Sequence, residues 1–132
     1  MAFHENDFTY PPTCFPPNEV DELLKRWVHP RPGMGGAESQ MGTKLYRTFV
    51  DAGLPGPELR VEAPVGGGPN FPGYEYTEET VRSLLPMLQK FAGVDPAVVD
   101  VDTLAERLRR EVVKSGGVMM LPLMFGAWSR RP

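Results

Sequence analysis

The chain has 132 residues, a formal net charge of −3 and 41% hydrophobic residues, which fits one domain with a modest core. Its single cysteine, Cys14, excludes an internal disulfide and a multi-cysteine zinc site. The mild acidity, with Arg107, Arg109 and Arg110 interleaved between Glu106 and Glu111, argues against the concentrated basic face of a nucleic-acid-binding domain. No apolar run reaches the ~18 residues of a membrane span, and residues 1–20 carry no secretory signal. The expectation is a soluble, cytoplasmic chain, rich in loops because 14 Gly and 15 Pro are present.

Met1 to Phe8 turns polar quickly and reads as the end of a strand. Pro11, Pro12, Pro16 and Pro17 make 9–17 a semi-extended loop without regular pairing. Asn18 caps a first helix, with Glu19, Asp21 and Glu22 in its positive first turn. Val20, Leu23, Leu24, Trp27 and Val28 form its apolar stripe, and Pro30 and Pro32 stop it. Gly33-Met34-Gly35-Gly36 bridges to a second helix near 39–52, striped by Met41, Leu45, Phe49 and Ala52 and followed by Gly53. After the turn Leu54-Pro55-Gly56-Pro57, Glu58 to Ala63 alternates as a short strand. A loop rich in Gly, Pro and Tyr covers 64–76. Thr77 then caps a third helix with Val81, Leu84, Leu85, Leu88 and Phe91 inward, ending at Gly93 and kinked or broken at Pro86. Asp100 or Asp102 opens a fourth helix bearing Leu104, Leu108 and Val112, closed by Lys114 and Gly116. The apolar run Val118 to Trp128 is too broken by Pro122 and Gly126 for a helix; it reads as a buried strand beginning after Pro122.

A phosphate cradle needs a strand, a glycine-rich turn and then a helix N-terminus. Gly66-Gly67-Gly68 follows a strand but meets Pro69 and Pro72; Gly33 to Gly36 follows a proline-rich loop; Gly116-Gly117 ends a helix. All three read as linkers. His4-Glu5-Asn6-Asp7 gathers side chains that serve as a general base or a substrate-binding carboxylate, or else form a solvated turn. His4, His29 and Cys14 lack metal-ligand spacing, so no metal is expected. Cys14 has no adjacent base. Phe71, Tyr74 and Tyr76 either line a pocket for a planar ligand or pin a long loop to the core. Met119, Met120 and Met124 read as core filling ahead of an adaptable pocket wall.

Five segments, in order, carry a resemblance to class I S-adenosylmethionine-dependent methyltransferases, closest to the small-molecule enzymes that look like quinone-biosynthesis methyltransferases. Phe3-His4-Glu5-Asn6-Asp7 is similar to the end of that family's fifth strand. Gly42 to Pro55 resembles the helix before the sixth strand, with its terminal turn, and Leu59-Arg60-Val61-Glu62-Ala63 the sixth strand itself. Arg82 to Pro86 and Asp102 to Leu108 resemble the helical insertion before the seventh strand. Gly126-Ala127-Trp128-Ser129-Arg130-Arg131-Pro132 resembles the closing seventh strand. The family's first four strands, with the glycine-rich loop and the acid that holds the ribose, have no counterpart in this sequence.

The resemblance implies one partial methyltransferase domain over 1–132. Its segments are the end of the fifth strand (1–8), helices (18–53), the sixth strand (58–63), lid or insertion helices (64–116) and the seventh strand (122–129). The fold expectation is α+β in content, as the carboxyl-terminal part of a Rossmann-like α/β fold. Four helices would lie on a two- or three-stranded sheet whose last two strands are antiparallel. The implied function is the substrate-binding half of an enzyme that methylates an O, N or C nucleophile of a small molecule, inactive alone. His4 is the candidate base. Glu5, Asp7, Phe71, Tyr74 and Tyr76 are candidate substrate-binding residues. S-adenosylmethionine is not expected to bind this chain alone. The expected partners are a methyl acceptor and either a second copy or a completing chain, without nucleic acid or membrane. The alternative function is a non-enzymatic small-ligand-binding or protein-interaction module.

Overall fold

Residues 1–28 and 40–130 are described in the computed structural model of the chain. His29, Pro30, Pro32, the Gly33 to Gly36 bridge, Arg131 and Pro132 lie outside the described residues. The elements are β1 (Ala2–Asp7), β2 (Thr13–Phe15), α1 (Glu19–Val28), α2 (Met41–Asp51), β3 (Glu58–Glu62), β4 (Val65–Gly66), α3 (Gly73–Ala92), α4 (Pro96–Val99), α5 (Leu104–Ser115), β5 (Val118–Met120) and β6 (Leu123–Trp128), with a 3₁₀ turn at Val101–Thr103. The fold is mixed α/β, with two three-stranded antiparallel sheets ordered β1-β6-β3 and β2-β5-β4. Leu123–Trp128 runs antiparallel to Glu58–Glu62, as the sequence leads one to expect for the last two strands.

Two prolines divide one long ribbon into these two sheets. Pro64 separates β3 from β4, and Pro122 separates β5 from β6. Proline donates nothing to a ladder, so the regular pairing stops there and only Leu121 N–H to the Pro64 carbonyl (2.9 Å) carries it across. Each half then has its own core. Leu45 and Phe49 of α2 pack on Ala127 of the first sheet. The larger core gathers Leu24, Trp27, Tyr74, Val81, Leu88, Leu104, Leu108 and Met119 from α1, α3, α5 and β5.

Helix starts are held by side-chain oxygens, two of them carboxylates borrowed from elsewhere in the chain. The first amides of a helix have no internal acceptor, and negative charge is favoured beside them. At α1 the cap is local: Asn18 Oδ1 accepts from Asp21 N–H at 2.9 Å. At α2, Gln40 supplies no side-chain cap; instead Asp7 Oδ2, from β1, accepts from Thr43 N–H at 3.4 Å. The same carboxylate accepts from Thr9 N–H at 2.9 Å and from the Thr9 hydroxyl. At α5, Glu78 Oε2 from α3 accepts from Ala105 N–H at 2.9 Å. The C-termini of α3 and α5 close with Gly93 and Gly116 in the left-handed region, as their sequence positions indicate.

Several expectations are corrected. The proline-rich segment 9–17 does pair: Thr13–Phe15 joins β5, because its prolines flank the three paired residues. The run Val118 to Trp128 is two strands instead of one, and this supplies the second sheet. The third helix starts at Gly73, four residues before Thr77, because Pro72 can head a helix where its missing N–H costs nothing. It runs through Pro86 without a break, its face held against α5 and α1. Finally, Asp100 and Asp102 do not open the long helix. Asp95 caps the short α4 (Ala97 N–H, 2.9 Å), Asp100 turns the chain at φ 44°, and α5 starts at Leu104.

Asp7→Ala is expected to lower stability by about 2 kcal/mol, since it removes the acceptor of the partly buried Thr43 amide and of both Thr9 groups. Asp51→Ala, which removes only the exposed Arg47–Asp51 pair, should cost about 0.5 kcal/mol or less. Urea denaturation of the two variants checks the difference, and equal costs would contradict the capping role. Gly42→Ala should also destabilise despite its better helix propensity, because a Cβ there would lie 2.4 Å from the Phe125 ring.

Candidate functional site

Strand side chains alternate between the two faces of a sheet, so the registers sort the first sheet completely. Phe3, Glu5 and Asp7 share a face with Phe125, Ala127, Leu59 and Val61. That face carries α2: Phe3 meets Phe49 edge-on at 5.6 Å. The opposite face carries Ala2, His4 and Asn6, then Met124, Gly126 and Trp128, then Glu58, Arg60 and Glu62. A groove of about 480 Å³ lies there, lined by His4, Arg60, Glu62, Met124, Gly126 and Trp128.

Gly126 is the floor of this groove. It is opposite both His4 and Arg60, and a Cβ at 126 would come within 3.3–3.4 Å of the His4 imidazole and 3.9 Å of the Trp128 ring. The bare backbone lets both rings lie beside it, giving a shallow trough between one imidazole and one indole. Among the described residues the His4 side chain has no hydrogen-bonded or ionic partner. Asn6, on the same face and directly across from Met124, donates from Nδ2 to the Tyr76 hydroxyl at 2.7 Å. Tyr76 belongs to α3, so this bond joins the helical half to the carboxyl end of β1.

The structure thus separates residues that are adjacent in sequence. His4 faces the groove. Glu5 faces the α2 side, opposite Phe125, and is not brought to His4. Asp7 is 1% exposed and engaged by Thr9 and Thr43. Phe71, Tyr74 and Tyr76 also divide. Because α3 begins at Gly73, Tyr74 and Tyr76 stand on a helix and only Phe71 is in a loop.

Phe71 is wedged between two glycines: a Cβ on Gly66 or Gly73 would lie 2.2 Å from its ring. Tyr74 is fully buried, meets Phe71 edge-on at 5.5 Å and donates to the Gly68 carbonyl at 3.0 Å. Burial raises the pKa of its phenol. Arg109 lies over the same ring and donates to the Pro69 carbonyl at 3.0 Å. Of the two functions open to these aromatics, Phe71 and Tyr74 do the pinning. Tyr76 alone remains 39% exposed.

Met124 is a candidate pocket wall in the sequence, whereas Asn6, Gly126 and Trp128 lie within motifs that give them no role. Period-two alternation assigns each a face, but only the register shows that two strands bring them together. Of the methionines, Met119 is fully buried in the core, whereas Met124 faces the groove.

Cys14 sits apart from this site. It is 4% exposed, and its N–H donates to the buried Asp21 carboxylate at 2.9 Å; Asp21 also holds Lys25 at 2.7 Å. Among the described residues no group of three His, Cys, Asp or Glu could hold a metal ion, and no helix is long and apolar enough to cross a membrane. No family model matches the chain, and no curated protein or solved structure matches it significantly.

Burial, reinforced by the Asp21 charge, pushes the Cys14 thiol up from 9.0 to about 11. Between these values the unfolded chain has released the proton that the folded chain keeps, so stability is intact below pH 9 and falls as pH rises to 11. The expected loss is on the order of 2 kcal/mol. Denaturation at stepped pH should show Cys14→Ala with a shallower decline than the parent; identical slopes would refute the assignment.

Proposed function

We propose that this chain is the substrate side of a small-molecule methyltransferase, transferring a methyl group to an O, N or C nucleophile held in the groove of the first sheet. It would act with a cofactor-binding part outside this sequence. The observation that carries the reading is the open edge of the first sheet: the outer edge of β1 has no strand partner among the described residues, and Phe3 is 48% exposed beside it. Further strands would add there, next to the groove, where the resemblance puts the missing half.

The residues present do not fit S-adenosylmethionine itself. Gly66 to Gly68 lead through Pro69 to a helix start filled by Phe71. Gly116 and Gly117 end α5. Asp7, the carboxylate at the carboxyl end of β1, is fully engaged by protein groups. What this chain supplies is acceptor binding: a trough that orients a flat molecule and excludes water from it, with the unpartnered imidazole of His4 at its centre as the candidate base.

Fusing the first four strands of a small-molecule class I methyltransferase ahead of Met1 tests this reading. The fusion is expected to bind S-adenosylhomocysteine and to transfer methyl groups, and the 132-residue chain alone to do neither. Binding of S-adenosylhomocysteine by the chain alone, or a folded fusion without transfer, would contradict it. Ligand uptake in the groove without transfer in the fusion would select the alternative, a non-enzymatic small-ligand module, which rests on the same groove.

A further inference from the structure

We propose that two copies of this chain pair through the outer edges of their β3 strands, joining two three-stranded sheets into one antiparallel sheet of six strands. The proposal goes beyond the methyltransferase reading and does not depend on it, since β3 is the edge of the sheet opposite β1. The phase of the existing ladder decides what the β3 edge offers. Met1 and Ser129 exchange both backbone hydrogen bonds, the Met1 amine to the Ser129 carbonyl at 2.9 Å and the Ser129 amide to the Met1 carbonyl at 3.0 Å. Hydrogen-bonded pairs alternate along an antiparallel ladder. Ala127 and Phe125 therefore turn their backbone groups to β1, while Trp128, Gly126 and Met124 turn theirs to Glu58, Arg60 and Glu62. That directs the N–H and C=O of Leu59, Val61 and, one step on, Ala63 outward. Pro57 and Pro64 bound this run, and neither has an N–H to give.

A second copy is the occupant because this edge complements itself in one register. With Val61 on the twofold axis, Val61 meets the partner's Val61 and Leu59 meets the partner's Ala63, and every outward amide and carbonyl is used. The same register sets Arg60 opposite the partner's Glu62, and Glu62 opposite the partner's Arg60. These are the non-hydrogen-bonded positions, where opposed side chains approach most closely. Sliding by two residues opposes Arg60 to the partner's Arg60 in one direction and Glu62 to the partner's Glu62 in the other, and like charges directly opposite are destabilising. Sliding by four restores opposite charges, Glu58 to the partner's Arg60, but sets Val61 against the partner's Pro57, which cannot donate. The charges are available for such pairs. Among the described residues the side chains of Glu58, Arg60 and Glu62 have no ionic or hydrogen-bonded partner within the chain, and all of β3 is exposed. An edge of one sign would repel its own copy in every register; the alternation Glu-Arg-Glu admits this one. On the other face α2 lies over β1 and β6, and Leu59 and Val61 remain 45% and 52% exposed. Pairing brings these apolar residues of the two copies side by side, between the two α2 helices. The groove is extended as well, because Arg60 and Glu62 line its β3 side and the partner's Glu62 and Arg60 continue that wall.

The test is sedimentation equilibrium of the 132-residue chain and of two single variants. Arg60→Glu leaves an acid at both positions and Glu62→Arg a base at both, so each should repel its own copy and dimerise about ten-fold or more weakly than the parent. Mixed in equal amounts, the two variants oppose Glu to Arg at both positions and should associate about as tightly as the parent. A second readout needs no variant: in hydrogen exchange of the parent followed by ¹H–¹⁵N NMR, the Leu59, Val61 and Ala63 amides should gain protection as concentration rises, and those of His4 and Asn6 should not. A parent that stays monomeric up to about 1 mM, variants that associate as the parent does, or a mixture of folded variants no tighter than either alone would overturn the proposal. Protection gained at His4 and Asn6 in place of Leu59 and Val61 would overturn it too, by moving the contact to the β1 edge.

Discussion

Every strand pair among the described residues has one member in the run Val118 to Trp128. β5 is the central strand of one sheet and β6 the central strand of the other, so the ladders of β1, β2, β3 and β4 all run to this segment. Its side chains divide accordingly. Met119 and Leu121 enter the larger core, and Ala127 packs under α2 with Phe125 against it. Met124, Gly126 and Trp128 face the other way and form the groove. One eleven-residue segment therefore sets both the packing and the site, and Pro122 within it fixes where one sheet gives way to the next.

Long-range carboxylates hold the helices to this frame. Asp7 leaves the end of β1 and meets the start of α2, while Glu78 leaves the first turns of α3 and meets the start of α5. Asp21 does the reverse, reaching from α1 to the backbone of β2. In each case a helix and a neighbouring element share one buried or half-buried carboxylate, so local structure and tertiary arrangement form together. The cost of burying the charge is offset by amide donors directed at it. Such a carboxylate is occupied, which is why Asp7, though placed at the mouth of the site by sequence, is structural.

Much of the fold was legible because its signals are local. The apolar stripes of α1, α2 and α5, the Asn18 cap and the closing glycines Gly93 and Gly116 depend on residues within two turns of one another. What was not legible depends on partners far along the chain. Thr13 to Phe15 is a strand only because β5 lies beside it, and α5 starts at Leu104 with a cap from a residue 27 positions earlier. The site divides in the same way. His4 and Tyr76 carry chemistry that is recognisable in the sequence. Asn6, Gly126 and Trp128 are ordinary strand residues until the register sets them on one face.

The fold and the groove depend on β6 being the interior strand of the first sheet and on the outer edge of β1 being open. Native-state hydrogen exchange of the 132-residue chain reads both at once, since amides paired on an interior strand open only with larger unfolding events. The backbone amides of Phe125 to Ala127 should be among the slowest to exchange, and every second amide from Phe3 to Asn6 should exchange fast, as an unpaired edge does. Uniform protection along β1 would show the edge already covered. Exchange at Phe125 to Ala127 as fast as at that edge would show that β6 is not the strand on which the fold and the groove depend.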